Sequence, residues 1–510
     1  MTISYSDPIF NESVTWSVDG AKPKTSAKRP SAATQRSSSA AAMERPGSGD
    51  SVRAASRLIM EQPKAKAKAK PKAAPRSSSA TRASPADVMA AARAGAEKTL
   101  ASEREVELVL DRKAEDARRS EILTALASIE NFHPGEDPRA FHGRAFCALH
   151  GTEVPVPKTV WQSDKKPRQN SPDWLTASEY EDQPEVLQLK IKLLATLLKA
   201  SHRSLAYTGA GLSVAAGIGM AAVGSKGGAG TGMGVATAGE PTLAHCVMAE
   251  LNRQNLLHGW VQQNHDGLPQ KAGYRQEEIN EVHGSWYDPS NPVVKYSGCL
   301  RGDLFEDMER QAETADLVLV LGTSLTGLNA DQCVTNAAVR SRHGNALGSV
   351  IISPQKTAQD GKAALRIFAK SDDVMLALAK EFGFGPRSIG RSRGVKCSAD
   401  LFPKHNKVLV PYDKNGVRSS TVQTYWDLSP GQSIRISSFN NLSGAHQPQD
   451  ARITDKTVGT VNGRDPRSCS IGLNLGGVQK RMGLWWLETA MRGGVEYLPV
   501  VNVDAKEMPV

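Results

Sequence analysis

The stretch LAYTGAGLSVAAGI, residues 205–218, decides the fold predicted for this chain. A short apolar run meets Gly209, Ala210 and Gly211, and small residues with helical potential follow. This order predicts a buried strand, a tight turn and the start of a helix. Glycine lets the backbone approach an anion closely, and the free N–H groups at a helix start face negative charge. The stretch therefore indicates a cradle for a phosphate group.

The same turn has a second interpretation, as a packing turn between a strand and a helix without a ligand. A dinucleotide-binding fingerprint has a third glycine where this chain has Val214, and an acidic residue about 20 residues further on. In this chain the corresponding region is a Gly-rich run, from Gly227 to Gly234. The stretch alone leaves both interpretations open.

Three polar clusters follow along the chain, each at or near the end of a short apolar run. They are QQNHDGL at residues 262–268, EVHG at residues 281–284, and GTSL at residues 322–325, the last straight after LVLVL. Because parallel strands present their carboxyl ends at one edge of a sheet, these clusters are expected to meet the first stretch in one crevice. In order and wording the four motifs resemble those of the sirtuins, the NAD-dependent protein deacylases, whose patterns read roughly GAGxSxxxGIPDFR, TQNIDxLH, ELHG and GTSL. The resemblance covers residues 186–383.

The resemblance implies NAD as the cofactor, an acylated protein as the substrate, and NAD-dependent protein-lysine deacylation as the activity. Strand and helix patterns alternate within the same region, which favours an α/β fold with a Rossmann-like, doubly wound parallel sheet. Two other functions use the same crevice. One is a catalytically weak module that binds NAD or ADP-ribose, and the other is an NAD-dependent ADP-ribosyltransferase.

Each motif supplies candidate site residues. An imidazole titrates near neutral pH, so His283 is the natural base, and it aligns with the sirtuin catalytic histidine. Asn264 is the second candidate catalytic residue, and by the resemblance Gln263 and Asp266 line the nicotinamide-ribose pocket with it. The structural alternatives are a core histidine and side chains that cap a strand end. The resemblance assigns the remaining cofactor contacts to Gly209, Ala210, Gly211, Ser213, Gly322, Thr323, Ser324, Ser353 and Ser371.

The chain departs from the sirtuin pattern at three places. GMAA, residues 219–222, stands where PDFR is usual, so the Phe and Arg that clamp the cofactor are missing. Between His283 and Gly322 the sequence has a single cysteine, Cys299, so we predict no structural zinc there. His265 and Pro269 replace the usual Ile and His, which alters the floor of the pocket.

Positive charge is concentrated towards the N-terminus. The 510-residue chain has a net charge of +10, and residues 1–100 hold 17 Lys plus Arg against 8 Asp plus Glu. A basic tail favours an anionic partner, either nucleic acid or an acidic protein surface, and a solvated linker is the alternative. Residues 1–95 are rich in Ser, Ala, Pro and Lys, include KAKAKAKPK at residues 64–72, and are predicted to be disordered.

Three further segments complete the predicted organisation. Residues 96–184 form a helical and connecting region, and residues 185–386 form the sirtuin-like NAD-binding domain. Residues 387–510 contain short apolar runs split by turn sequences, which predicts a β-rich domain of unknown function. In that domain Trp485 and Trp486 are predicted to lie in the core.

The cysteines and the apolar runs bear on the compartment. The six cysteines are spread singly along the sequence, which favours reduced thiols over a disulfide framework. The N-terminus lacks a basic region followed by an apolar one, and no run reaches the roughly 18 apolar residues that span a bilayer. We therefore expect an intracellular protein, nuclear or cytoplasmic, without a membrane partner.

Overall fold

The computed structural model describes residues 2–6, 13–17, 112–164, 172–219, 239–294, 300–326, 329–393, 402–437, 453 and 457–510. The chain divides into two compact units, Met1–Glu107 and Leu108–Val510. In the first unit, β1 (Thr2–Ser6) and β2 (Ser13–Ser17) pair as an antiparallel hairpin. These strands lie within the range for which the sequence predicts disorder. The rest of that range is outside the described residues, so disorder there stays a prediction.

The second unit begins with helices that pack on its core. Helix α1 is described over residues 112–128, within the predicted helical and connecting region, and its Ile122 and Leu126 are fully buried. It is followed by α2 (Arg144–His150) and by an antiparallel hairpin of β3 (Lys158–Trp161) and β4 (Glu179–Glu181). Helix α3 (Pro184–Ala200) then starts with a proline in its first turn, where a missing N–H has no partner to lose.

Six parallel strands form the central sheet, in the order β10-β9-β8-β5-β6-β7. They are β5 (Ser204–Thr208), β6 (Gly259–Gln262), β7 (Ile279–Asn280), β8 (Leu317–Leu321), β9 (Gly348–Ile352) and β10 (Leu365–Ile367). The motif stretch supplies β5, which lies between β6 and β8, so that Tyr207 is opposite both Val261 and Val320. This all-parallel sheet is the one that the sequence predicts.

Helices cover both faces of the sheet. After α3 they are α4 (Leu243–Arg253), α5 (Leu268–Lys271), α6 (Gly302–Thr314), α7 (Gln332–Arg342), α8 (Ser371–Glu381) and α9 (Pro386–Arg393). The LVLVL strand β8 shows the two faces directly. Its three leucines pack in a core with residues of α3, α4 and α8, whereas Val318 and Val320 pack in another with residues of α6 and α7. Both faces are therefore buried, as a doubly wound fold requires.

The part of the chain from residue 402 is rich in antiparallel strands. Its strands are β11 (Lys407–Val410), β12 (Val422–Asp427), β13 (Ser433–Ile436), β14 (Val458–Asp465), β15 (Ser470–Leu475), β16 (Val478–Gly483), β17 (Val500–Asn502) and β18 (Glu507–Pro509). They form one sheet in the order β11-β12-β18 and another in the order β16-β15-β14-β13-β17. Helix α10 (Trp485–Met491) brings Trp485 and Trp486 into the core between them, as predicted.

This C-terminal part packs against the segment that joins β6 to α6. Tyr287 of that segment belongs to the same apolar cluster as Trp485, and their ring centroids are 5.2 Å apart. The indole Nε1 of Trp485 donates to Gln276 Oε1 at 2.7 Å, and the amide of Gly483 donates to the Tyr287 carbonyl at 3.0 Å. The predicted boundaries at residues 184 and 386 both lie within the second unit and stay predictions.

The cysteines, the possible metal ligands and the helices bear on the predictions about disulfides, zinc and the membrane. Cys147, Cys246, Cys333 and Cys469 are buried, while Cys299 and Cys397 lie outside the described residues. Within the described residues, no group of three or more His, Cys, Asp or Glu side chains could hold a metal ion. Over the same ranges, none of the helices has the length and apolar character needed to cross a membrane.

Candidate functional site

The candidate crevice lies at the carboxyl edge of the central sheet, where neighbouring strands β5, β6 and β8 end in three of the sequence motifs. The turn after β5 leads into a helix, as predicted, and this helix is a 3-10 helix, Ala210–Ala216. That helix ends at Gly217, whose φ is +78°. The Gly-rich run that follows lies within residues 220–238, outside the described residues.

The turns after β5 and β8 are in direct backbone contact. The Gly209 amide donates to the Leu321 carbonyl at 3.0 Å, and the Gly211 amide donates to the Gly322 carbonyl at 2.8 Å. Gly322 has φ +62°, and a Cβ on it would lie 2.3 Å from the backbone nitrogen of Leu212. The space beside these glycines is thus filled by protein, and the contacts support the packing interpretation of the turn. The Gly211 N–H, predicted to face a phosphate, is used within the protein.

A buried polar cluster joins the first two motifs, and Ser213 is at its centre. The Ser213 hydroxyl donates to Asp266 Oδ2 at 2.6 Å and accepts a hydrogen bond from Asn264 Nδ2 at 3.0 Å. The same amide nitrogen of Asn264 lies 3.0 Å from the Gly209 carbonyl. All three side chains are buried. The structure therefore brings together three predicted site residues that are separated by about 50 positions in the sequence.

A second cluster extends from Gln263 towards α7. Gln263 Nε2 contacts the Tyr207 hydroxyl and lies 3.2 Å from Thr323 Oγ1. The Tyr207 hydroxyl in turn donates to Asp331 Oδ1 at 2.8 Å. Burial, together with the Asp331 carboxylate, raises the pKa of Tyr207 well above its ordinary value, so this phenol keeps its proton.

His283 follows the short edge strand β7 and is partly buried beside the end of β6. Burial is the main cause that lowers the pKa of His283 to about 4, and the neighbouring His265 lowers it further. A hydrogen bond to the Gln263 backbone acts in the opposite direction. The ring is therefore neutral at pH 7, which is the state in which an imidazole accepts a proton.

His265, which stands where sirtuins usually have Ile, connects two of the motifs. Its Nδ1 lies 2.8 Å from the Gly284 carbonyl, and since a carbonyl only accepts, Nδ1 carries the proton and donates. The His265 carbonyl accepts from the Trp286 amide at 2.9 Å. The loop after β6 and the loop that carries His283 are thus linked by hydrogen bonds in both directions.

The remaining predicted residues lie at the same edge but have other contacts. The Ser353 hydroxyl, just after β9, accepts from the Gln355 amide at 3.1 Å. Ser371 is the first residue of α8, which follows β10, and Ser324 is exposed. Ala210, the first residue of the 3-10 helix, is partly buried.

The chemistry of the side chains suits the dinucleotide that the resemblance implies. The carboxylates of Asp266 and Asp331 are both buried and accept hydrogen bonds inside the protein. The other polar groups of the two clusters and of the His283 loop are amides, hydroxyls and neutral imidazoles, which can bond an amide or a sugar hydroxyl. On this criterion the residues present fit NAD.

Several residues of this region are not among the predicted site residues. Tyr207 and Asp331 both belong to the second cluster. Tyr207 lies in an apolar run, which predicts a core residue and not a site residue. Glu281, the first residue of EVHG, is fully buried, and burial raises its pKa to about 7.

Two cavities also lie away from the crevice. One, of about 180 Å³, borders Ser204 and His258, and the other, of about 390 Å³, borders Glu281 and Trp486.

The chain is similar in sequence to named sirtuins, although no family model matches it. The bovine NAD-dependent protein deacetylase sirtuin-7 is 30% identical over 254 residues, which cover 40% of this chain and 62% of the bovine protein. The rice NAD-dependent protein deacetylase SRT1 is 27% identical over 238 residues, covering 38% of this chain and 48% of that protein. The similarity thus spans less than two thirds of either relative.

Solved structures give a further comparison. The structure of Sir2Tm bound to a propionylated peptide is 22% identical, with a TM-score of 0.34, and the alignment covers 38% of this chain and all of that one. Through about two-fifths of its length, this chain is similar in sequence to members of the sirtuin family, at 30% identity or less.

Proposed function

We propose that the crevice binds NAD and that the protein removes acyl groups from lysine side chains of other proteins in an NAD-dependent reaction. The observation that carries this proposal is the setting of His283. Its ring has a pKa of about 4 and is bonded to the backbone of Gln263, the residue next to Asn264. A neutral base therefore stands beside a polar cluster that suits a carboxamide and a ribose.

The groups of the chain have separate tasks in this proposal. When bound, NAD would supply the ribose carbon that leaves nicotinamide and is attacked by the acyl oxygen. Asn264 and Asp266, fixed by Ser213, would orient the nicotinamide end of the pocket. His283 would accept a proton from a ribose hydroxyl at its free ring nitrogen. Thr323, held near Gln263, would close the opposite side with its hydroxyl.

The test uses the full chain with NAD and an acetyl-lysine peptide. We expect nicotinamide release and formation of the deacetylated peptide, followed by mass spectrometry. Loss of a positioned base typically costs about 10²–10⁴-fold in rate, so His283→Ala should lose at least about 100-fold. His343→Ala, which removes an exposed imidazole just after α7, is the matched control and should keep the wild-type rate.

Binding and chemistry are separated by a second measurement on the same proteins. Calorimetric titration with ADP-ribose should give similar affinities for the wild type and His283→Ala, since the proposed task of His283 is to accept a proton during the reaction and not to hold the ligand. An unchanged deacetylation rate in His283→Ala would contradict the role of the histidine. A folded wild type that binds neither NAD nor ADP-ribose would contradict the whole proposal.

A module that binds NAD or ADP-ribose without efficient catalysis is the second candidate function. It is favoured by GMAA at residues 219–222 in place of the family's PDFR, and by the use of the Gly211 N–H within the protein. Such a module would bind ADP-ribose in the calorimeter but release no nicotinamide. Transfer of label from NAD to protein would instead identify the third candidate, an ADP-ribosyltransferase.

The partner and compartment predictions remain part of the same proposal. An acylated protein is the proposed substrate, and nucleic acid or an acidic protein surface is the proposed partner of residues 1–95. The proposed location is intracellular, with the Lys-rich segment at residues 64–72 favouring the nucleus over the cytoplasm if it acts as an import signal.

A further inference from the structure

A cavity of about 390 Å³ lies between the central sheet and the C-terminal part of the chain. One wall comes from the end of the sheet and the loop after it, including Glu281, Asp288 and Asn291. The opposite wall includes Trp486 of α10 and the segment up to Tyr497. The cavity is large enough for a small ligand or one long side chain, and it is distinct from the crevice at the carboxyl edge.

Three buried side chains that line this cavity have a polar atom without a hydrogen-bond partner in the described part of the chain. They are Glu281 Oε1, Asn291 Oδ1 and Trp486 Nε1, and each residue is at most 4% exposed. Asn291 is fixed beside Glu281, because its Nδ2 donates to the Glu281 carbonyl at 2.9 Å. A buried polar atom without a partner is costly, so two acceptors on one wall and a donor on the opposite wall indicate a site for a ligand.

The charges around the cavity single out Glu281. Asp288 and Asp303 both lie near Arg301, at 3.9 and 2.8 Å. Asp307 pairs with Arg310, and Glu277 pairs with Arg275 and Arg492. At the rim, Glu496 pairs with Arg418 at 2.9 Å, and both side chains are about half exposed. The other acids of the lining thus have basic partners.

The side chains that hydrogen-bond to the Glu281 carboxyl are neutral. Gln276 Nε2 lies 3.4 Å from its Oε2, and Ser285 and Gln270 are also close. Burial raises the pKa of Glu281 to about 7, and the nearby Asp288 adds to this. A carboxyl group in this state gains most from a cation that also donates hydrogen bonds.

We propose that this cavity binds a primary ammonium group, with Glu281 Oε1 and Asn291 Oδ1 as acceptors and the Trp486 ring beside the cation. Ammonium matches both the charge of the carboxylate and the need of two oxygen atoms for N–H donors. An aromatic face is a further favourable contact for a cation. The ammonium comes either from a free alkylamine or from a lysine side chain of a peptide. This proposal does not depend on the activity of the crevice.

The test is calorimetric titration of the full chain at pH 8 with n-butylammonium and with tetramethylammonium chloride at equal ionic strength. Butylammonium has three N–H donors, whereas tetramethylammonium carries the same charge with none. We expect saturable binding of the first cation only. Equal binding of both cations, or no binding of butylammonium by the folded wild type, would overturn the proposal.

Two variants locate the binding. Glu281→Gln keeps the shape of the side chain and removes its charge, and it should weaken butylammonium binding at least about tenfold. Glu496→Gln removes a rim carboxylate that is already paired, and its affinity should stay within about twofold of the wild type. Unaltered binding in a folded Glu281→Gln protein would overturn the proposal.

The wild type alone supplies a second measurement, in case Glu281→Gln fails to fold. An alkylammonium stays charged below pH 9, whereas a carboxyl with a pKa near 7 goes from about one-tenth to about nine-tenths ionised between pH 6 and pH 8. Affinity should therefore rise about tenfold over this interval, and a flat profile would contradict the role of Glu281.

Titration with Nα-acetyl-lysine N-methylamide distinguishes the two possible sources of the ammonium group, a free alkylamine and a lysine side chain. Tighter binding than butylammonium identifies a lysyl side chain, because its carbonyls can accept from Trp486 Nε1, and equal binding identifies a free amine.

Discussion

Ser213 shows how one residue can organise a site without touching the chemistry. The resemblance places it at the phosphates, whereas in the structure its hydroxyl bridges Asp266 and Asn264. The hydroxyl is both donor and acceptor, so it satisfies a buried carboxylate and a buried amide together. Its main contribution is therefore to fix the two side chains that the proposed cofactor would contact.

Ser213→Ala should destabilise the protein because it leaves two buried polar groups short of a partner. A cost of about 1–3 kcal/mol in the free energy of unfolding is expected, measured by denaturant titration. The matched control is Ser349→Ala on β9. Ser349 is equally buried, but its hydroxyl has no hydrogen-bond partner among the described residues, so the change should be nearly neutral. Equal losses in the two variants would contradict the bridging role.

At the scale of single residues, the sequence predicts which residues belong to the site better than it predicts what they contact. Asn264, Asp266 and His283 were found because they stand in motifs with a recognisable order. Tyr207 was hidden because an apolar run predicts only burial, and the bond from its hydroxyl to Asp331 joins residues 124 positions apart. Glu281 Oε1 has no hydrogen-bond partner among the described residues. This likewise depends on the residues that surround it in the fold, so the local sequence cannot predict it.

Among the elements, the pair of turns after β5 and β8 is closely packed. Gly322 has φ +62°, and any Cβ there would meet the backbone of Leu212. Gly217, at the end of the same 3-10 helix, also has a left-handed φ of +78°, but nothing lies within 4 Å of its Cβ position. The two glycines therefore share a left-handed backbone that would strain any other residue, and they differ in the close approach of a neighbouring backbone.

Gly322→Ala should cost about 1–3 kcal/mol more than Gly217→Ala, because only the first adds a clash to the strained φ. Thermal and denaturant unfolding of both variants measures the difference. Since the clash would displace the turn after β5 that carries Gly209 and Gly211, Gly322→Ala should also bind ADP-ribose more weakly than Gly217→Ala. Equal stability of the two variants would contradict the close contact between the two turns.

The strands were predictable for a physical reason that the helix after Gly211 does not share. A buried parallel strand is apolar on both faces, and LVLVL divides its leucines and valines between two cores. The helix starts at a distant contact, because the Gly211 amide in its first turn donates to the Gly322 carbonyl. Local sequence cannot express a constraint from a residue that is more than 100 positions away.

For the molecule as a whole, the joint between the sheet domain and the C-terminal part is the main feature beyond the family pattern. Trp485 packs on Tyr287 and bonds to Gln276, both in the segment that flanks His283. A Cβ on Gly267 would lie 3.0 Å from the Trp485 ring, which shows how closely the parts approach. The C-terminal part thus supports the loop that carries the proposed base.

Trp485→Ala should weaken this joint by about 3–5 kcal/mol, the usual cost of truncating a buried tryptophan. Differential scanning calorimetry should then show two separated transitions where the wild type has one. Trp161→Ala on the exposed strand β3 is the matched control, with a side chain 46% exposed, and should change stability by less than about 1 kcal/mol. A single, unshifted transition in Trp485→Ala would contradict a supporting role.

The joint at Trp485 also has a consequence for the chain as it leaves the ribosome. Strand β5 is made early, but its partner β8 ends at residue 321 and the tryptophan that packs beside Gly267 comes at residue 485. At roughly 5–20 residues per second, tens of seconds separate these events during translation. A nascent chain therefore carries all four motifs well before the loop of His283 has its support. Newly made protein would therefore acquire its proposed activity only after residue 485 has left the ribosome.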